Sequence, residues 1–145
     1  LSLEECSVFQ TCTAGELRIL ERELPHRTFQ AGDRLIATGE SSDEMFVLLE
    51  GEVEVQLVED GEYRRLDVLS AGMTAGEMAF LDGSPRSADV VATQKVECLV
   101  LTRTWFSSLA DALPHLKIKL LQALMKEIAA RLRQANVEIA ALQRN

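Results

Sequence analysis

Glu77 and Arg86, nine residues apart, are the side chains whose types and spacing could do chemistry in this chain. Gly76 stands immediately before them, and Met78-Ala79-Phe80-Leu81-Asp82-Gly83-Ser84-Pro85 runs between. The apolar residues after Gly76 fit one short helix, whose unpaired first N–H groups point back toward the glycine and make an end that attracts an anion. Pro85 fixes φ just ahead of Arg86, and Val90-Val91 open a β-branched run, so Arg86 is expected where a strand begins, facing back over the helical turn. A guanidinium there can fork onto a phosphate beside the backbone donors, while the Glu77 carboxylate can accept from a sugar hydroxyl. Phosphate and hydroxyl sensors side by side suggest a nucleotide.

These residues need a frame, and the chain supplies one in three parts. Thr13-Ala14-Gly15-Glu16 is a capping-box pattern ahead of Leu17, Ile19 and Leu20, which predicts a helix from about Thr13 to Arg22 with Val8 and Phe9 packed beside it. From Leu24 to Leu101 the texture changes to short β-type runs broken by turn residues, at a spacing that signals a sandwich or barrel. The expected runs are 25–29, 33–36, 44–49, 52–58, 63–69, 86–92 and 96–101, with turns at Gly32, Gly51, Gly61 and Gly72. Val53, Val55 and Leu57 alternate with Glu52, Glu54 and Gln56, one face in and one out, as in an antiparallel roll.

The third part is helical. Residues 104–109 read as a short helix, Leu113-Pro114 breaks the chain, and 114–142 has high helix propensity with no internal Gly or Pro. Its apolar positions, Leu121, Leu124, Ile128, Leu132, Ala135, Ile139 and Leu142, step by three or four, with one doubled four-residue step at Ile128. Such a stripe exceeds what a small roll can cover, so a two-fold homodimer through this helix is expected.

Gly76-Glu77-Met78-Ala79 with Pro85-Arg86-Ser87-Ala88 resembles the phosphate-binding cassette of the cyclic nucleotide-binding domain family, which includes catabolite-activator-like proteins and protein kinase A regulatory subunits. The likeness extends over nearly the whole chain. It implies a mainly β fold with flanking helices: an antiparallel, jelly-roll-like β-roll of about eight strands, N-terminal helices and a long C-terminal helix. It implies that Glu77 holds a ribose 2′-hydroxyl, that Arg86 pairs with a cyclic phosphate, and that the ligand is cAMP or cGMP, with no other cofactor. Ser87 fits either nucleotide, with the lean toward cAMP. Gly32, Gly39, Gly51 and Gly72 fall where the family keeps turn glycines, and strands around Val47 would floor the pocket. Ala75 departs from the family pattern, which often has an aromatic residue there. In catabolite-activator-like relatives the long helix packs across a dimer and caps the nucleotide, which would bring Arg131 near the ligand. Asn136 would then reach the base, either in its own subunit or in the neighbouring one.

Composition sets outer bounds. With 145 residues and 47% hydrophobic content, the chain fits one domain, with N-terminal helices over 1–23, a roll over 24–102 containing the cassette at 76–90, and C-terminal helices over 103–145. A formal charge of −8, from 23 acidic and 15 basic residues, argues against a general nucleic-acid surface yet leaves a small anion open to a local arginine. Cys6, Cys12 and Cys98 form no metal-like spacing and fit a reducing cytoplasm, with Cys98 as a small core residue. No apolar run is long enough to span a membrane, and no triad, metal-ligand or kinase spacing stands out, so a binding module is expected in place of an enzyme. The chain begins at Leu1 and stops at Asn145 within or just after its long helix, as a piece of a longer protein would, and no helix-turn-helix is expected in it. The expected role is a regulatory module whose C-terminal helix moves with ligand and signals to a fused or partner transporter, channel or enzyme; the alternative is a dimerisation domain with a silent pocket.

Overall fold

Two strands, β3 (Glu44–Glu50) and β8 (Val96–Thr102), are apolar on both faces because each is covered on both sides. In the computed structural model, which describes residues 1–144, they pair antiparallel at the centre of the first of two four-stranded sheets. That sheet has the order β1-β8-β3-β6, with β1 at His26–Phe29 and β6 at Thr74–Ala75. The second has the order β2-β7-β4-β5, built from Arg34–Ile36, Asp89–Ala92, Glu52–Glu59 and Glu62–Ser70. All pairs are antiparallel. The result is the β-roll of about eight strands that the resemblance implied, one more than the seven runs read from the sequence.

Alternate residues of β3 serve different cores. Phe46 and Leu48 join Ile36, Val53, Leu69, Val90 and Val100 between the sheets. Met45, Val47 and Leu49 face the other way and pack with the helices. Val47 therefore lies under the helical layer and does not floor a pocket inside the roll. Val8 and Phe9, in a 3-10 turn at Ser7–Phe9, are fully buried in that layer. Helix α1 (Ala14–Glu23) begins with the expected capping box: Thr13 Oγ1 accepts from the Glu16 N–H at 3.1 Å, and the Thr13 N–H donates to Glu16 Oε1 at 2.8 Å.

Three expectations are corrected here. β6 is an additional strand of only two residues, too short to show alternation. The run predicted to start at Arg86 starts at Asp89, so Arg86 belongs to the loop before β7. Along β4 the inward burial fades, with Val53 buried but Val55 and Leu57 only partly so, while opposite Val55 and Gln56 the pairing with β5 skips Leu66.

After α2 (Glu77–Asp82) and α3 (Arg103–Ala112), α4 runs from Pro114 to Gln143. Its apolar stripe divides into two faces. Leu116, Leu120 and Leu124 step by four and are buried on the domain. Ile118, Leu121, Met125, Ile128, Leu132, Ala135, Ile139 and Leu142 step regularly by three and four, a heptad seam with Ile118, Met125, Leu132, Ile139 and Leu142 exposed. The apparent irregularity at Leu124 is the handover from one face to the other. No helix among the described residues is long and apolar enough to cross a membrane.

Candidate functional site

The cassette is held at both ends of its helix by backbone geometry. Gly76 caps α2 with φ of 84°, and a Cβ there would lie 2.7 Å from Arg86 Nη1 and 2.9 Å from Ile36 Cδ1. Only glycine fits both the left-handed conformation and the close approach of the arginine. At the other end Arg103 donates from Nε to the Phe80 carbonyl at 3.0 Å and from Nη2 to the Ala79 carbonyl at 2.7 Å, the latter alongside the capping bond that Ala79 accepts from the Gly83 N–H at 2.8 Å. Phe80 stacks edge-on against Phe106 of α3 with centroids 5.3 Å apart. These contacts lock α2 onto the helical layer.

Arg86 is placed by its own main chain. Its N–H donates to the Glu40 carbonyl at 3.0 Å and its carbonyl accepts from the Gly39 N–H at 2.8 Å, so the loop between β2 and β3 clamps it. Asp89, buried three residues later, accepts from the Thr38 N–H at 2.6 Å and the Thr38 hydroxyl at 2.7 Å, and pairs with Arg34 at 3.5 Å. The Thr38 backbone bond leads the causes that hold the Asp89 carboxyl below its usual range.

The Arg86 side chain is 4% exposed. Nη1 donates to the Gly76 carbonyl at 2.9 Å and Nη2 to the Glu44 carbonyl, while Nε, also buried, has no hydrogen-bond partner. Burial pulls the guanidinium below its ordinary pKa, opposed by Glu40, Glu44, Glu77 and Asp43 nearby. A buried cation with an unused donor is a site short of an anion.

Arg86 lines a cavity of about 240 Å³ together with Gly76, Glu77, Met78, Ala79, Ser84, Pro85, Ser87 and Ala88. The cavity thus gathers all eight cassette residues singled out in the sequence. Its apolar wall is Ile36, Val55, Leu69, Ala75 and Val90, from the core between the sheets, and Ala75 is buried where a larger ring would fill this space. Glu77 is also buried, and its partner is Arg131 of α4, not Arg86. Arg131 Nη2 donates in addition to the Thr74 carbonyl at 2.9 Å. The helix therefore reaches the cassette through the arginine that the sequence nominated. Asn136, five residues further on, is exposed and does not line the cavity of its own chain.

Sequence reasoning missed a polar cluster beside this arrangement. Glu127, one turn before Arg131, accepts from the Thr74 hydroxyl at 2.6 Å and from the Ser7 hydroxyl. Thr74 is fully buried two residues before Gly76, and the Gly72 carbonyl, 3.1 Å from Ser7 Oγ, is the alternative acceptor for the single Ser7 hydroxyl proton. Burial pushes the Glu127 carboxyl above its ordinary pKa, against the opposing pull of Thr74 and Arg131. Nothing in residue type or spacing couples Ser7, Thr74 and Glu127, which only the fold brings together. Among the described residues no group of three or more His, Cys, Asp or Glu side chains is placed to hold a metal ion.

A β-roll whose cavity sets a buried arginine and a buried glutamate against one glycine-capped helical turn defines a ligand-binding module. The cyclic nucleotide-binding domain model matches residues 26–112, and the chain belongs to that family. It is 34% identical over 137 residues to Glutaminase 1 of Bradyrhizobium diazoefficiens, covering 94% of this chain and 22% of that protein. It is 35% identical over 109 residues to a cyclic nucleotide-gated potassium channel of Mesorhizobium japonicum, covering 75% of this chain and 25% of that one. The chain thus spans a quarter or less of the length of these two curated relatives. A cyclic nucleotide-binding domain from Methylobacillus flagellatus KT superposes with a TM-score of 0.84 at 27% identity, over 96% of this chain and 83% of that one.

Proposed function

We propose that the cavity binds cAMP or cGMP and that occupancy is passed through α4 to an effector. Arg86 carries this reading, because a buried guanidinium with a free Nε–H gains most from a compact anion that also meets the first N–H groups of α2. Glu77 accepts from the ribose 2′-hydroxyl, and Ser87 and Ala88 close the phosphate side. The base lies along the apolar wall. A hydroxyl arriving at Glu77 shares the carboxylate that holds Arg131, so ligand acts on the contact that ties α4 to the cassette. The helix shifts only by the difference in affinity between its two positions.

The exposed seam supports a parallel homodimer through α4. In such a pair the flanking position of Arg131 faces the flanking position 136 of the second helix, which brings the partner subunit's Asn136 beside the cavity. An asparagine there can donate to and accept from a purine edge. Attachment to a channel or an enzyme follows by analogy with the relatives, and the residues of the site supply binding groups, not catalysis. The chain acts as one regulatory domain over 1–145.

Isothermal titration with cAMP and cGMP tests the reading. Saturable binding at micromolar concentration or tighter is expected. Absence of heat and of competition at millimolar nucleotide would sink it and leave a dimerisation domain whose pocket is silent.

A further inference from the structure

Strand pairing lays four cavity-lining residues in one row across the second sheet. Ile36 pairs with Val90, Val90 with Val55, and Val55 with Asp67 of β5. Paired residues of antiparallel strands project from the same face, so all four side chains look into the roll. Ile36 marks the phosphate end of the row, because its Cδ1 and Arg86 Nη1 both crowd the space beside Gly76. Asp67 stands three strand spacings away, roughly 14 Å between backbones.

The row is apolar until its last member. Leu69, two residues along β5 and also facing inward, is buried in the same core, so a carboxylate at Asp67 interrupts an otherwise hydrophobic surface. Asp67 is exposed at the open edge of the cavity, and its Oδ1 accepts from the adjacent Val68 N–H at 2.8 Å. Oδ2 and one lone pair of Oδ1 remain available, and an ionised carboxylate can only accept. A molecule that spans the row therefore meets a cation at one end, a flat apolar floor along its length and a pure acceptor at the other. A planar base with an amino group on its outer edge has that complement.

We infer that Asp67 is a specificity-determining residue that accepts a hydrogen bond from the exocyclic amino group of a purine base. This rests on the proposed binding of a cyclic nucleotide in the cavity. Of the chain's two acids on this cavity, Glu77 lies in the cassette and addresses the sugar, and Asp67 addresses the base.

The test compares cAMP and cGMP with the 3′,5′-cyclic monophosphate of purine riboside, which keeps the ring, sugar and phosphate but has no amino group. The wild-type chain should bind the preferred amino-bearing nucleotide about ten-fold more tightly than the purine riboside nucleotide, the scale of a hydrogen bond to a charged acceptor. Asp67→Ala should abolish that ratio while leaving affinity for the purine riboside nucleotide unchanged, which also shows that the variant is folded. A wild-type chain that does not distinguish the nucleotides overturns the assignment, as does a ratio that survives in Asp67→Ala. Equal weakening of all three ligands in the variant also overturns it, since Asp67 would then only support the edge strand. Failure of the wild-type chain to bind any of them would refute the nucleotide reading itself, a separate outcome.

Discussion

The two arginines that line the cavity are held in opposite ways. Arg86 is buried, its main chain is clamped by the β2–β3 loop, and its side chain meets two carbonyls, one of them from a helix-capping glycine. Arg131 is only partly buried, sits on a long helix, and reaches across to a carboxylate and one carbonyl. Moving Arg86 would mean unmaking the roll. Moving Arg131 requires only that the part of α4 beyond the buried Leu124 give up a few polar contacts, namely those of Glu127 with Thr74 and Ser7 and those of Arg131 itself. The difference teaches that under the proposed function the two sides would divide the labour, the fixed side supplying affinity and the side able to shift by small free energies supplying the signal.

Arg86→Ala should break the comparison outright. Removing the cation from a buried anion site is expected to cost about 2–5 kcal/mol of nucleotide affinity, read by titration, with the fold retained in its circular dichroism spectrum. Unchanged affinity would show that the fixed side contributes nothing. Glu77→Gln probes the junction of the two sides. It should weaken cAMP by about 1.5–3 kcal/mol and the 2′-deoxy analogue by clearly less, since the analogue has no hydroxyl to lose. Equal losses would remove Glu77 from the sugar and leave it as the anchor of Arg131 alone.

Leu132→Asp addresses the outer half of α4, where the side chain is 61% exposed in the single chain. Placed in a helix seam, the carboxylate has no partner, and the dimer should weaken by about 1–3 kcal/mol, visible by sedimentation at decreasing protein concentration. A dimer of unaltered strength would assign the interface to another surface.

The fixed side was the legible one. Its residues lie within fifteen positions of each other, and a glycine, an acid and an arginine at set spacing carry their roles in their types. The long strands were legible for a similar reason, because apolar runs such as Met45–Leu49 are covered on both faces. What escaped was whatever depends on pairing across the chain. β6 is two residues long and has no period of its own. Val47 could not be assigned to one side of β3 from a run in which every residue is apolar. In α4 the seam passes through Met125 and the domain face through Leu124, neighbours of similar hydrophobicity that only packing separates. Thr74, Glu127 and Asp67 are ordinary polar residues in sequence and acquire meaning from the strands and helix set beside them.

Glu127 gives the smallest and most discriminating test of the helix side. Its carboxyl is half-buried among Thr74, Ser7, Arg131 and Glu77, and its folded pKa lies above the ordinary 4.5 because desolvation outweighs the bond from Thr74 and the charge of Arg131. A raised pKa means that the native state holds the proton more tightly than the unfolded chain does. Its contribution to stability is therefore fully present below about pH 4.5 and is lost as pH rises through the folded value. Glu127→Gln keeps an acceptor for Thr74 and removes the buried charge, and Ser7 can rotate its hydroxyl to receive the new amide while Gly72 remains in reach. Denaturant unfolding at pH 5 and pH 7.5 should show the variant within about 1 kcal/mol of wild type at the acid end and equal or more stable at the neutral end. If the two proteins instead lose stability in parallel, Glu127 is compensated at every pH, and α4 is fastened to the cassette more firmly than a signalling helix should be.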